Sequence, residues 1–112
     1  RTAWHRHLIT LFQRFDILVL PTAQVFPFDA GVHWPATLGG RAMDTYHRWM
    51  EVVIGPTLAG APAISVPVGF GAAGAPMGMQ LIGAPGADLR VLQVAHAYDL
   101  ATRWVERRPP AL

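Results

Sequence analysis

Residues 63–82 read AISVPVGFGAAGAPMGMQLI and contain two strand patterns around a glycine-rich turn. In the first, Ile64, Val66 and Val68 alternate with small residues, which indicates a strand with one bulky and one small face. Apolar and small residues alternate again over about residues 77–83, so the spacing predicts an antiparallel hairpin. Pro67 has no N–H to donate to a ladder, and we expect it at a bulge or facing away from a partner strand.

On the N-terminal side of this hairpin, a second signal comes from the apolar run ILVL at residues 17–20. It shows no alternation, which is typical of a short strand that is buried on both faces, and we expect it to join the same sheet. Residues 21–43 have few periodic signals and several prolines and glycines, so they are predicted to form a long loop. Loops of this length in compact domains are often functional.

Helical periodicity appears in three places, over about residues 2–14, 44–54 and 88–103. Their expected N-caps are Thr2, Asp44 and Asp88. One further turn is possible before Gly60, which suits a C-terminal cap. Together these elements predict an α/β fold, in which a mixed sheet with an antiparallel hairpin is flanked by helices. Residues 1–112 are expected to form one compact unit.

The composition excludes several classes of function. The chain has 112 residues, 52% of them hydrophobic and 14% charged, which indicates a folded domain. It contains no cysteine, so it has neither disulfides nor thiolate metal sites, and this fits a cytoplasmic location. The net charge is only +2 and the arginines are scattered, so we expect no nucleic-acid partner. No apolar run reaches the roughly 20 residues of a membrane span.

Residues that could perform catalysis are scarce. The chain has no lysine, and Ser65 is its only serine. Ser65 lies in the middle of a predicted strand rather than at a strand–turn–helix elbow, so we interpret it as a small residue that permits close packing. His5 and His7 point to different sides of a helix, which argues against a metal site. Gln80 is open to two interpretations: it bonds buried backbone groups, or its amide faces a substrate.

Three longer segments, taken together, resemble the amidase-signature enzymes. They are FDILVLPTAQVFPF at 15–28, TLAGAPAISVPVGF at 57–70 and APMGMQLIGAPGADLRVLQVAHAYDLAT at 75–102, in the order expected for that family. Thr57 departs from the pattern, because many members have asparagine there. The resemblance implies the C-terminal part of the family's mixed sheet and a hydrolase of carboxylic amides that uses no metal or organic cofactor.

The resemblance also implies a Ser–cis-Ser–Lys triad, which in the family lies upstream of these segments. No residue of this chain is therefore predicted to be catalytic, and the chain alone is expected to be inactive. Its implied partners are the missing N-terminal part of the enzyme and a small-molecule amide. The competing hypothesis is a non-catalytic binding or assembly module that reuses the fold.

The substrate pocket is expected near the loop after Thr22, because open α/β sheets bind ligands beyond their strand ends. The pocket candidates are Thr22, Phe26, Trp34, Tyr46 and Gln80. The alternative for each of them is ordinary packing in the core or the loop. We also expect an exposed apolar face that leads the chain to self-associate, most simply as a two-fold homodimer.

Overall fold

The computed structural model describes residues 1–107; residues 108–112 of the predicted unit lie outside this range. The α-helices are α1 (Thr2–Phe12), α2 (Ile54–Ala59), α3 (Asp88–Thr102) and α4 (Trp104–Arg107), and a 3-10 helix covers Arg48–Val53. The strands are β1 (Leu18–Pro21), β2 (Thr37–Leu38), β3 (Arg41–Ala42), β4 (Ala63–Phe70) and β5 (Pro76–Ile82).

The main sheet has three strands in the order β1-β5-β4, and both pairings are antiparallel. The predicted hairpin is confirmed as β4 and β5, and the predicted strand at 17–20 joins it as β1. The register between β4 and β5 shifts between Pro67 and Gly69. This is the bulge expected for a proline without an N–H, and Gly69 has a φ of 138° there.

Helices cover the two faces of this sheet. On one face, Val66 and Leu81 pack with Ala95 of α3 to form a buried cluster. On the other face, α1 and α2 approach the sheet around Ile82, which is only 1% exposed. The alternation of β5 produces this division, because its odd-numbered residues face α3 and its even-numbered residues face the opposite side.

The helix predicted over residues 44–54 begins only at Arg48, and up to Val53 it is a 3-10 helix rather than an α-helix. The chain forms the 3-10 helix first and enters α2 only at Ile54, and Met50 breaks the helical geometry with φ −119° and ψ 21°. Asp44 does not cap a helix; its carboxylate accepts a hydrogen bond from the guanidinium of Arg48. This hydrogen bond lowers the pKa of Asp44. Gly60, with φ 69°, does end α2 in the left-handed conformation, as expected.

The other helix ends also differ from the expected caps. Thr2 and Asp88 are the first helical residues rather than N-caps, and no side chain caps α1 or α3. Within the predicted loop 21–43, β2 and β3 form a short hairpin around Gly39 and Gly40, both of which have positive φ. Two glycines between short extended segments are a typical turn of such hairpins.

Candidate functional site

A pair of hydroxyl groups lies where β1 ends, on the face of the sheet away from α3. Thr22 follows the last residue of β1, and its N–H donates to the carbonyl oxygen of Gly78 at 3.0 Å. Its Oγ1 lies 2.9 Å from Oγ of Ser65 on β4. Gly78 makes this contact possible, because a Cβ there would lie 2.9 Å from Ser65 Oγ and 3.0 Å from Thr22 Oγ1.

Two cavities meet at this hydroxyl pair. The first, of about 290 Å³, lies towards α2 and has Thr57 and Gln80 in its wall. The second, of about 280 Å³, lies towards the loop after β1, and we call it the aromatic pocket. It is lined by Thr22, Ala23, Val25, Phe26, Pro27, Phe28, Trp49, Ser65, Pro76, Met77 and Gly78. Thr22 and Ser65 belong to the walls of both cavities.

Two glutamines fix the 3-10 helix that carries Trp49 into this wall. Gln80 is 4% exposed, and its Nε2 donates to the carbonyl oxygens of Pro21 at 2.9 Å and Val52 at 3.0 Å. Gln24 accepts a hydrogen bond from the N–H of Val52 through Oε1 at 2.9 Å. Both backbone groups of Val52 are therefore held by side chains from the sheet region. Both N–H groups of Gln80 are used in this way, which favours the first of its two interpretations.

Aromatic rings connect the pocket to the loop behind it. Trp49 contacts Phe28 edge-to-face with centroids 5.6 Å apart, and Tyr46 at 6.1 Å. Tyr46 in turn contacts Trp34, whose Nε1 donates to the carbonyl oxygen of Met43 at 3.0 Å. Nε1 of Trp49 is buried, and no residue among 1–107 accepts a hydrogen bond from it. A buried donor of this kind is unusual in a folded protein.

The structure brings three of the five candidates together. Thr22 and Phe26 line the aromatic pocket, and Thr22 and Gln80 line the neighbouring cavity. Trp34 and Tyr46 lie behind Trp49, are absent from both walls, and contact one another. A role in substrate binding remains a prediction for all five.

Sequence reasoning missed two features of this site. The sequence indicates only a packing role for Ser65, and it marks Trp49 only as one residue within the helical periodicity of about residues 44–54. The available signal was the small face of the β4–β5 hairpin. A serine and a glycine on neighbouring strands leave space there for the side chain of the residue after β1, which is Thr22.

The walls of both cavities contain no charged residue. Arg41, Arg48 and Glu51 of the adjacent loop and 3-10 helix form ion pairs with one another instead. Glu51 lies 3.6 Å from a guanidinium nitrogen of Arg48 and 3.7 Å from one of Arg41. Within residues 1–107, no group of three or more His, Asp or Glu side chains could hold a metal ion. In the same range, no helix is long and apolar enough to cross a membrane.

The chain is similar in sequence to curated proteins. The chain is 43% identical over 111 residues to the A subunit of the glutamyl-tRNA(Gln) amidotransferase of Synechococcus sp. (strain CC9605), covering 99% of the chain and 21% of that protein. It is 42% identical to the corresponding protein of Symbiobacterium thermophilum, with 97% and 21% covered. The chain thus spans about a fifth of the length of these curated relatives.

The fold of the chain also resembles parts of solved structures. A 6-aminohexanoate cyclic dimer hydrolase superposes with a TM-score of 0.74 at 31% identity, covering 94% of this chain and 22% of that one. The glutamyl-tRNA(Gln) amidotransferase protein of Thermotoga maritima superposes with a TM-score of 0.68 at 34% identity, covering 85% and 19%. The family model described as Amidase matches residues 1–92. With most of its length matched by that model, the chain belongs to the amidase family.

Proposed function

We propose that this chain is the C-terminal part of an amidase and forms one wall of its substrate pocket. The enzyme would hydrolyse carboxylic amides to a carboxylate and ammonia or an amine. One observation carries the proposal: two cavities meet at the Thr22–Ser65 hydroxyl pair, in a chain that belongs to the amidase family. The similar proteins include an amidotransferase subunit and a cyclic dimer hydrolase. We infer that a carboxylic amide is the substrate class of the enzyme to which this chain would belong.

The catalytic groups are assigned to the rest of the enzyme. Amide hydrolysis by a serine needs a base that activates the nucleophile. The chain has no lysine, and its only serine has the hydroxyl of Thr22 as its side-chain partner, which is not a base. The Ser–cis-Ser–Lys triad would therefore come from the N-terminal part, which is the main partner of this chain in the proposal. A cytoplasmic location is part of the same proposal and rests on the absence of cysteine.

The isolated chain is expected to hydrolyse no amide above background. Loss of a complete nucleophile–base arrangement typically lowers kcat by several orders of magnitude. The measurement is a panel of aryl and alkyl amides, together with a serine-reactive phosphonate probe. Co-expression with the amidase-family segment encoded upstream should restore turnover.

The variant Ser65→Ala serves as the control for this assay. Turnover or probe labelling by the isolated chain that disappears in Ser65→Ala would mean that Ser65 is a nucleophile, against the proposal. Failure of the upstream segment to restore turnover would favour the non-catalytic binding module instead.

The isolated chain is also expected to self-associate. Helix α3 buries Val91 and Ala95 against the sheet but leaves Leu89, Leu92 and Leu100 more than half exposed. These three leucines lie on one side of the helix. We propose that the rest of the enzyme covers this stripe and that a second copy covers it in the isolated chain, most simply as a two-fold homodimer.

Sedimentation velocity over a concentration series tests this expectation. Leu92→Lys should shift the distribution towards monomer, whereas Ala101→Lys, which adds the same charge on another side of α3, should not. A chain that stays monomeric throughout the series would contradict the prediction.

A further inference from the structure

We infer that the aromatic pocket binds the uncharged, ring-bearing end of a neutral carboxylic amide, for which benzamide is the simplest probe. The pocket holds about 280 Å³, close to the lower limit of roughly 300 Å³ for small-molecule sites, so it suits a group the size of one ring. That the bound amide is a substrate rests on the proposed function. Binding of benzamide itself requires no turnover.

The wall of the pocket determines the polarity of the ligand. Phe26, Phe28, Trp49 and Met77 provide ring faces and a thioether, and no lining residue is charged. Aromatic and sulfur-containing side chains stabilise a bound ring through edge-to-face and sulfur–aromatic contacts. A charged ligand would lose its hydration without gaining an ionic partner, which is strongly unfavourable.

The hydroxyl pair provides one unused hydrogen-bond donor in the wall of the pocket. Thr22 and Ser65 have two hydroxyl hydrogens but share one hydrogen bond, and neither side chain bonds another group among residues 1–107. One O–H is therefore left to donate. The indole N–H of Trp49 is buried, so it is out of reach of a ligand and adds no donor to the pocket. A ligand that supplies an uncharged acceptor fits this pocket, and the carbonyl oxygen of an amide is such an acceptor.

The experiment is a titration of the ¹⁵N-labelled chain with benzamide, followed by two-dimensional NMR. We expect saturable shifts of the Trp49 indole signal and of the Gly78 amide. The anion of 4-carboxybenzamide has the same ring and amide with one added charge. It should bind at least about tenfold more weakly.

Variants locate the site. Thr22→Val alone or Ser65→Ala alone leaves one hydroxyl that can still donate a hydrogen bond. The decisive variant therefore carries both substitutions. The double variant should bind benzamide about tenfold more weakly. Trp49→Leu removes a ring from the pocket wall, and it should weaken binding about threefold or more. Thr10→Val, which removes a hydroxyl on α1 that bonds the Arg6 carbonyl oxygen, should bind like the unaltered chain.

Three outcomes would overturn the inference. They are unmoved Trp49 and Gly78 signals at the solubility limit of benzamide, equal binding of 4-carboxybenzamide, and unchanged affinity in both the double variant and Trp49→Leu. The outcomes also separate the two proposals. If the chain binds benzamide as expected but the upstream segment does not restore turnover, the pocket is supported and the proposed function is contradicted. If the upstream segment restores turnover but the chain does not bind benzamide, the proposed function is supported and the pocket is contradicted.

Discussion

Replacing Gln80 with glutamate is expected to lower the free energy of unfolding by about 3 kcal/mol or more at neutral pH. The amide nitrogen of this buried side chain donates to the carbonyl oxygens of Pro21 and Val52. A carboxylate has no hydrogen to donate and would place its charge against two carbonyl oxygens, away from water. The end of β1 and the 3-10 helix would lose their common attachment.

Chemical denaturation at two pH values checks this expectation. Burial raises the pKa of the introduced carboxyl in the folded state above its unfolded value. The folded state therefore binds a proton more tightly, so the variant is relatively more stable in acid and loses that stability as the pH rises through the folded pKa. Protonation also restores one donor.

The matched control is Gln93→Glu, at an exposed position of α3. It should change stability by no more than about 0.5 kcal/mol. Equal effects of the two variants, or a Gln80→Glu defect that does not depend on pH, would contradict the assigned role of Gln80.

Replacing Gly83 with alanine is expected to lower the free energy of unfolding by about 2 kcal/mol. Gly83 follows β5 and is buried where the sheet meets the start of α3. A Cβ there would lie 2.5 Å from Cγ2 of Val91 and 3.5 Å from Cβ of Ala87. Val91 is itself buried and branched at Cβ, so it has little freedom to turn away. The helix would have to move from the sheet.

A double-mutant cycle with Val91→Ala tests this explanation. Val91→Ala alone should be destabilising because it leaves a cavity. In the double variant the new methyl group occupies part of that cavity, so the combined loss should be smaller than the sum by about 1 kcal/mol or more. Additive losses would mean that the clash with Val91 is not the cause.

The main sheet could be predicted because its signals are local. The alternation of Ile64 and Val66 with small residues defined β4, and the missing N–H of Pro67 indicated the bulge. The family could be inferred for a similar reason, since its motifs lie in these same strands and in α3. Such features depend on residues close together in sequence, and a single chain displays them directly.

The 3-10 helix and the hydroxyl pair could not be predicted in this way. Trp49, Met50 and Val53 have the spacing of an α-helix, but Gln24 and Gln80 hold both backbone groups of Val52 from elsewhere in the chain. The contact between Thr22 and Ser65 joins residues 43 positions apart. Both depend on the arrangement of β1 beside β5, which local propensity does not determine.

The strand order also determines when each strand pair can form while the chain is being synthesised. Within the described residues β1 pairs with β5 alone, and Leu18 lies opposite Ile82. The ribosome therefore releases β1 long before its partner exists, whereas β4 and β5 emerge together and can close a short hairpin at once. Until residue 82 has left the exit tunnel, the apolar residues of β1 have no partner strand in this sheet. The nascent chain is thus most prone to misfolding during the interval between those two strands.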